Sequence, residues 1–258
     1  MKTMAETYGQ NPTDNIIEVN GLISILDEKV ILSDVSFQVR TGEITAILGS
    51  SGSGKTTVLK HLLGIYPSIG NSVSVLGLNP SKLEESEEKA FYRQMGVMYQ
   101  EGALLNSMTV GENIGLPLDQ HLELPGELIE HIVRTKLQLV NLEDAYDKFP
   151  SQLSGGMLKR AALARAIVMD PPILFCDEPG AGLDPVTMSN LDSLIVDLKK
   201  QLGMTVVMVT HEVPSTLRMA DQIVFLENGV AIFHGTPESA LEASPPVVKD
   251  FFARGRGE

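Results

Sequence analysis

The sequence predicts an α/β fold: a parallel-sheet core, a small antiparallel sheet and an inserted helical block. Three observations carry this. An apolar strand, Ile44-Thr45-Ala46-Ile47-Leu48, runs into a glycine-rich loop and then a helical pattern from Val58 to Leu63. Two further apolar runs, Ile173 to Cys176 and Thr205 to Thr210, alternate with helical stretches, as buried strands of a parallel sheet do. Between about residues 101 and 165 the spacing is helical almost throughout.

In order along the chain, Met1 to Asn15 is polar, has no apolar stretch of the kind that starts secretion, and reads as a flexible segment. Ile16–Val19, Val30–Leu32 and Val35–Val39 read as short strands beside the loop. Ser72–Gly77 is another strand and Ser81–Gln94 a solvated helix. Gly96–Tyr99 is a strand that runs into Gln100. Thr109-Val110-Gly111-Glu112 fits a capping box, and Pro125 opens a helix through Leu139. Pro185 opens a helix that stops at Gly203, and Asn228-Gly229 joins two strands as a hairpin. Thr236-Pro237-Glu238 starts a closing helix, and a last turn, Val247–Phe252, precedes a tail. The domains expected are a flexible segment 1–15, a core of 16–100 and 166–244 carrying the antiparallel sheet, a helical insertion 101–165 and a tail 245–258.

Composition narrows the function. The 258 residues carry a formal net charge of −13, which argues against a general nucleic-acid binder, since such proteins neutralise phosphates with Lys and Arg. It also argues against adsorption to anionic lipid, so any work at a membrane requires a protein that docks the chain there. The one cysteine, Cys176, forms no intramolecular disulfide and sits in a buried strand as packing. His61, His121, His131 and His234 show no metal-ligand spacing.

The loop Gly49-Ser50-Ser51-Gly52-Ser53-Gly54-Lys55-Thr56-Thr57 has the composition of a phosphate cradle. Glycines let backbone N–H groups close on an anion at a helix N-terminus. Lys55 in the first helical turn is favourable only with an anion beside it, and the Thr56 hydroxyl stands where Mg²⁺ is held. Asp177 and Glu178 close the strand Ile173–Cys176, where an acidic pair divides metal holding from polarisation of a water. His211 ends the next buried strand, and Gln100 another. Ser154-Gly155-Gly156, preceding a helix, is a second anion-binding helix start. One γ-phosphate and two such helix starts are reconciled if the second serves another subunit's nucleotide.

Taken together, these motifs resemble the ATP-binding subunits of ABC transporters from about Ile16 to Phe252. The carriers are the phosphate loop, Gln100, Leu153-Ser154-Gly155-Gly156, Asp177-Glu178, Gly182-Leu183-Asp184 and His211, in that order. The resemblance implies a P-loop NTPase (RecA-like) core, ATP and Mg²⁺ as ligand and cofactor, and a head-to-tail homodimer. In that dimer Ser154 and Gly156 of one copy close on ATP held by the other, and Asp184 couples the two sites. It further implies Lys55, Glu178, His211 and Gln100 in catalysis, and Thr56, Gln100 and Asp177 at the metal.

Gln100–Leu105, Met108–Asn113 and Met157 are similar to the Mce-associated subgroup, which energises phospholipid movement between bacterial membranes. That similarity implies permease subunits docking near Gln100, a small cytoplasmic accessory subunit, an Mce-domain protein, and a place on the cytoplasmic face of the inner membrane. Two departures stand out. No aromatic residue lies between Tyr8 and Phe37 to stack on adenine, leaving Ile25 or Leu26 to pack there, and Gly180 replaces the usual Ser or Thr. The alternatives left open are an ABC ATPase that regulates a membrane complex without transport, and a module that binds ATP without hydrolysing it.

Overall fold

The computed structural model describes residues 15–242 and 245–256, so the expected flexible segment, Asn15 apart, lies outside the described residues. The chain divides into two compact units, one formed by residues up to Ser86 with those from Val207 onward, the other by Glu87–Val206.

In the first unit, β1 (Asn15–Leu26) and β2 (Lys29–Arg40) form one long antiparallel hairpin instead of three short strands. Asp27 and Glu28 turn it, both in the left-handed region, at φ 49° and 64°. A register shift between Val19 and Leu22 interrupts the in-out alternation there, with Gly21 at φ 61°. The strand β3 (Ile44–Gly49) is buried throughout, and it feeds α1 (Lys55–Leu62). A short β4 (Val73–Val75) completes the order β2-β1-β4. It is shorter than the expected Ser72–Gly77.

The predicted helix Ser81–Gln94 is two pieces: a single 3₁₀ turn, Pro80–Lys82, and α2 (Glu85–Tyr92), which crosses from the first unit into the second. Asn79 accepts a hydrogen bond from the Ser81 N–H at 3.1 Å, and Leu83 is extended, so the first piece stops after one turn.

The second unit opens with β5 (Met95–Met98). Its helices are α3 (Val110–His121), α4 (Gly126–Leu139), α5 (Gly155–Ala166) and α6 (Pro185–Leu202). The capping box at α3 is formed: Glu112 N–H donates to Thr109 Oγ1 at 3.2 Å, and Thr109 N–H to Glu112 Oε2 at 2.7 Å. Pro125 precedes α4 as expected, and Gly203 ends α6 in a left-handed cap. β6 (Ile173–Asp177) pairs in parallel with β5, in the register Val97 to Phe175. The Thr205 N–H bonds Pro172 O at 2.8 Å at the start of β7 (Thr205–Val209), and the boundary between the units falls inside this strand.

Back in the first unit, the Thr210 N–H bonds Ile47 O at 3.2 Å, which brings the end of β7 against β3. A short α7 (Val213–Met219), with Pro214 in its first turn, follows in a stretch with no helical periodicity. β8 (Gln222–Glu227) pairs in parallel with β3, and β9 (Val230–Gly235) pairs with β8 through the expected Asn228-Gly229 turn. Asp221 ties the start of β3 twice: its Oδ2 accepts from Ile44 N–H at 2.8 Å and its own N–H donates to Ile44 O at 2.8 Å. After α8 (Pro237–Leu241), most of the expected tail is a helix, α9 (Pro246–Arg256). Val248 and Phe252 on it are fully buried, and Phe251 meets Phe225 of β8 edge-on at 5.0 Å. Burying these side chains explains why this segment does not trail off.

Candidate active site

The phosphate loop follows β3 directly. Gly49 has φ 151°, and a Cβ there would lie 2.1 Å from the backbone oxygen of Leu226. The loop therefore leaves the sheet where only glycine fits. At Gly54, φ 104°, a Cβ would meet Leu32 Cδ2 at 2.4 Å. Gly54 opens α1 with no side-chain cap. Lys55 is almost fully buried, and its ammonium donates to the carbonyls of Gly49 and Ser50, both at 2.9 Å. The Ser53 hydroxyl is buried without a hydrogen-bond partner. A buried hydroxyl without a partner, an uncapped helix start and a buried ammonium together form a donor set that suits a phosphate group. Ser51 and Gly52 lie at the exposed crest of the loop, and Thr56 and Thr57 on the first turn of α1.

His211 follows β7 with its side chain 59% exposed, and its Nε2 lies 3.7 Å from Glu212 Oε1. It shares a cleft of about 470 Å³ with Ser50, Phe225, Glu227 and Arg254. Ser50 donates to Glu227 Oε2 at 3.1 Å, a contact that sequence spacing does not reveal. The first unit thus brings together the phosphate loop and the strand-end histidine.

The second unit holds the other predicted residues. Asp177 ends β6, and Glu178 follows at φ 45°. Ser154 caps α5, its Oγ accepting from Met157 N–H at 3.3 Å, ahead of Gly155 and Gly156. A Cβ on Gly156 would meet Thr187 Cγ2 at 2.6 Å, so this glycine also serves packing against α6. Asp184 caps α6 through Val186 and Thr187 N–H groups, both at 3.1 Å. Hydrogen bonding from the Thr187 side chain, with help from these backbone groups, holds the Asp184 carboxyl below its ordinary range. At Gly180 a side chain would collide with Met188, whose Cγ lies 2.9 Å from a Cβ placed there, which explains the missing Ser or Thr. Gln100 is exposed, and its backbone oxygen accepts from the Lys159 ammonium of α5.

Three neighbours of the motif residues carry no signal in the sequence. Lys159 is 7% exposed and reaches Gln100 O and Glu178 O. Arg165 donates to the carbonyls of Gly102 at 2.8 Å and Ala103 at 2.7 Å. Asn113 is fully buried and its amide ties the backbone at Leu105, Met108 and Thr109. Each joins segments by side chain to backbone, and no local spacing signals that. Ile25, expected to pack on adenine, is 57% exposed, with Leu26 half-buried.

Among the described residues no group of three His, Cys, Asp or Glu could hold a metal ion. The Thr56 hydroxyl on α1 and the Asp177 carboxylate at the end of β6 are oxygen donors of the kind a hard cation takes alongside phosphate and water. No helix among the described residues is long and apolar enough to cross a membrane.

Fold and site define a P-loop ATPase cassette. The family model described as ABC transporter matches residues 32–181. Over 238 residues the chain is 38% identical to the intermembrane phospholipid transport system ATP-binding protein MlaF of Escherichia coli K12, covering 92% of this chain and 88% of that one. It is likewise 38% identical over 243 residues to a protein of Mycobacterium leprae named as a probable ribonucleotide transport ATP-binding protein, mkl, covering 94% of this chain and 70% of the relative. Among solved structures, a dimeric ATP-binding cassette, MJ0796, in a post-hydrolysis state with ADP and Pi matches with a TM-score of 0.76 at 28% identity, over 85% of this chain and 98% of that one. The chain belongs to the ABC transporter family.

Proposed function

We propose that this chain is the ATP-hydrolysing subunit that powers phospholipid movement between bacterial membranes, working at the cytoplasmic face of the inner membrane through a permease. The observation that carries the ATPase half is the phosphate loop, with its buried Lys55 ammonium and unpartnered Ser53 hydroxyl. The substrate half rests on kinship. The names of the two relatives disagree, and MlaF is covered almost end to end whereas 70% of mkl is matched. The likeness of Gln100–Leu105 and Met108–Asn113 to the Mce-associated subgroup favours the lipid.

In this reading Gly49–Thr57 and Lys55 bind and orient the phosphates, and Thr56, Gln100 and Asp177 hold Mg²⁺. The metal, when bound, neutralises phosphate charge. Glu178 takes the proton of the attacking water, and His211 orients that water. Ser154, Gly155 and Gly156 serve the nucleotide of a second copy in a head-to-tail dimer, with Asp184 between the two sites. The dimeric MJ0796 cassette supports this arrangement. Residues 101–165 form the helical insertion whose Gln100 edge receives a permease helix, alongside a small accessory subunit and an Mce-domain protein. The core is 16–100 with 166–244.

The test is co-purification of the chain with its membrane partner, reconstituted in lipid nanodiscs. Mass spectrometry should find phospholipid held by the complex, and Mg·ATP should be hydrolysed and drive its exchange. A complex that holds and moves ribonucleotide and no lipid overturns the substrate. One that binds ATP and never turns it over overturns the activity.

A further inference from the structure

We propose that Lys159 is a positioning residue for ATP hydrolysis, a buried cation on α5 that locks the Gln100 loop and the Glu178 turn into one catalytic geometry. The proposal rests on the ATPase reading above and adds a residue that none of its motifs contains.

The ammonium of Lys159 donates to the backbone oxygen of Gln100, 59 residues away in sequence, and to that of Glu178 at 3.5 Å. The residue is 7% exposed, so water does little for its charge. A buried ammonium persists only where oxygen atoms replace its hydration. Burial lowers its proton affinity, and the carboxylates of Glu101, Glu178 and Asp177 act the other way. The ammonium is thus held by the backbone oxygens of Gln100 and Glu178.

Both segments need holding. Glu178 is a non-glycine residue at φ 45°, a conformation that persists where surroundings enforce it. Gly102 and Ala103, just past Gln100, are both left-handed, at φ 75° and 50°. Arg165 grips their carbonyls from the same helix. A lysine suits the shared position because one ammonium has three donors and no planar geometry to satisfy. Without it the Gln100 and Glu178 oxygens lose the ammonium they share, Glu178 O retaining the Ala181 N–H at 3.1 Å, and the tie between the two segments is gone.

The test uses the full chain with Lys159→Met, which keeps the stem and removes the donors, and Lys159→Arg, which keeps the charge. The expected result for Lys159→Met is a fall in kcat of tenfold or more, with KM for ATP and the Kd for a fluorescent ADP analogue within twofold of the wild type. Lys159→Arg should recover a substantial part of that kcat. Hydrogen exchange in the unliganded protein should be at least tenfold faster in residues 100–104 and 178–181 of Lys159→Met, and unchanged across α4. Equal losses in binding and kcat, no rescue by Arg, or unaltered exchange in both segments would overturn the proposal. Should Lys159→Met not fold, the wild type still decides: Lys159 must react with an amine-acylating reagent at least tenfold more slowly than the exposed Lys200, and equal rates refute the buried link. A wild type without ATPase activity would instead remove the functional reading, leaving the exchange and acylation results to judge the contact.

Discussion

Asn113 offers the sharpest test of how the helical insertion is held. Its Oδ1 accepts from Leu105 N–H at 2.7 Å, while Nδ2 faces the oxygens of Leu105 at 3.0 Å, Met108 at 3.1 Å and Thr109 at 2.9 Å. The side chain is fully buried, so no water replaces what Asn113→Ala removes. A typical hydrogen bond contributes about 1 kcal/mol net, and an orphaned buried partner costs ~1–3 kcal/mol. With two amide protons shared among three acceptors, the loss is about 3 kcal/mol rather than the full sum. For a chain of this size that corresponds to a fall in Tm of roughly 6–12 °C. Thermal and urea unfolding of the two proteins in the same buffer measure it. Asn113→Asp keeps the shape and turns a carboxylate oxygen toward the three carbonyls. Its folded-state pKa should rise, so its stability should fall as pH rises above about 4, the unfolded value. A loss below ~1 kcal/mol for Asn113→Ala, or a pH-independent Asn113→Asp, would refute the reasoning.

Other outcomes follow from the same geometry. Glu178→Gln should bind Mg·ATP, fail to hydrolyse it and elute as a dimer in size-exclusion chromatography; a variant that stays monomeric at saturating Mg·ATP argues against the composite site. Burial pushes the Cys176 thiol up to about 12. The native protein should resist a thiol reagent at pH 8 and react fully in denaturant. Because the unfolded thiol ionises first, near 8.5, Cys176 costs the native state stability as pH climbs from there toward 12, and Cys176→Ala should flatten that decline in urea titrations. Gly156→Ala places a methyl against Thr187 Cγ2 and should destabilise by about 1–3 kcal/mol. Thr187→Ser in the same chain removes that carbon and should restore stability, whereas hydrolysis should stay impaired if the glycine backbone also approaches a second copy's nucleotide.

How much of this was legible follows physical lines. The phosphate loop, the Thr109 capping box, the Asn228-Gly229 turn and the α6 stop at Gly203 are local devices, each written in a few adjacent residues, and all four formed as read. The β1–β2 hairpin reads as fragments in the sequence because Asp27-Glu28 lacks the usual turn signature and a bulge breaks the alternation near Gly21. α7 is seven residues long, too short for periodicity to stand out, and α9 owes its existence to burying Val248 and Phe252. Among candidate site residues, those in motifs can be named from the sequence. Lys159, Arg165 and Asn113 cannot, because each acts on backbone far off in sequence or on a loop whose path is known only once folded.

Lys55 has one further consequence. Its ammonium donates to the carbonyls of Gly49 and Ser50, so one side chain links the end of β3 to the first turn of α1. A loop held in this way has less freedom to lose when it closes on a phosphate. Such a site should discriminate little between di- and triphosphate at the binding step, leaving selectivity for ATP to closure around the γ-phosphate.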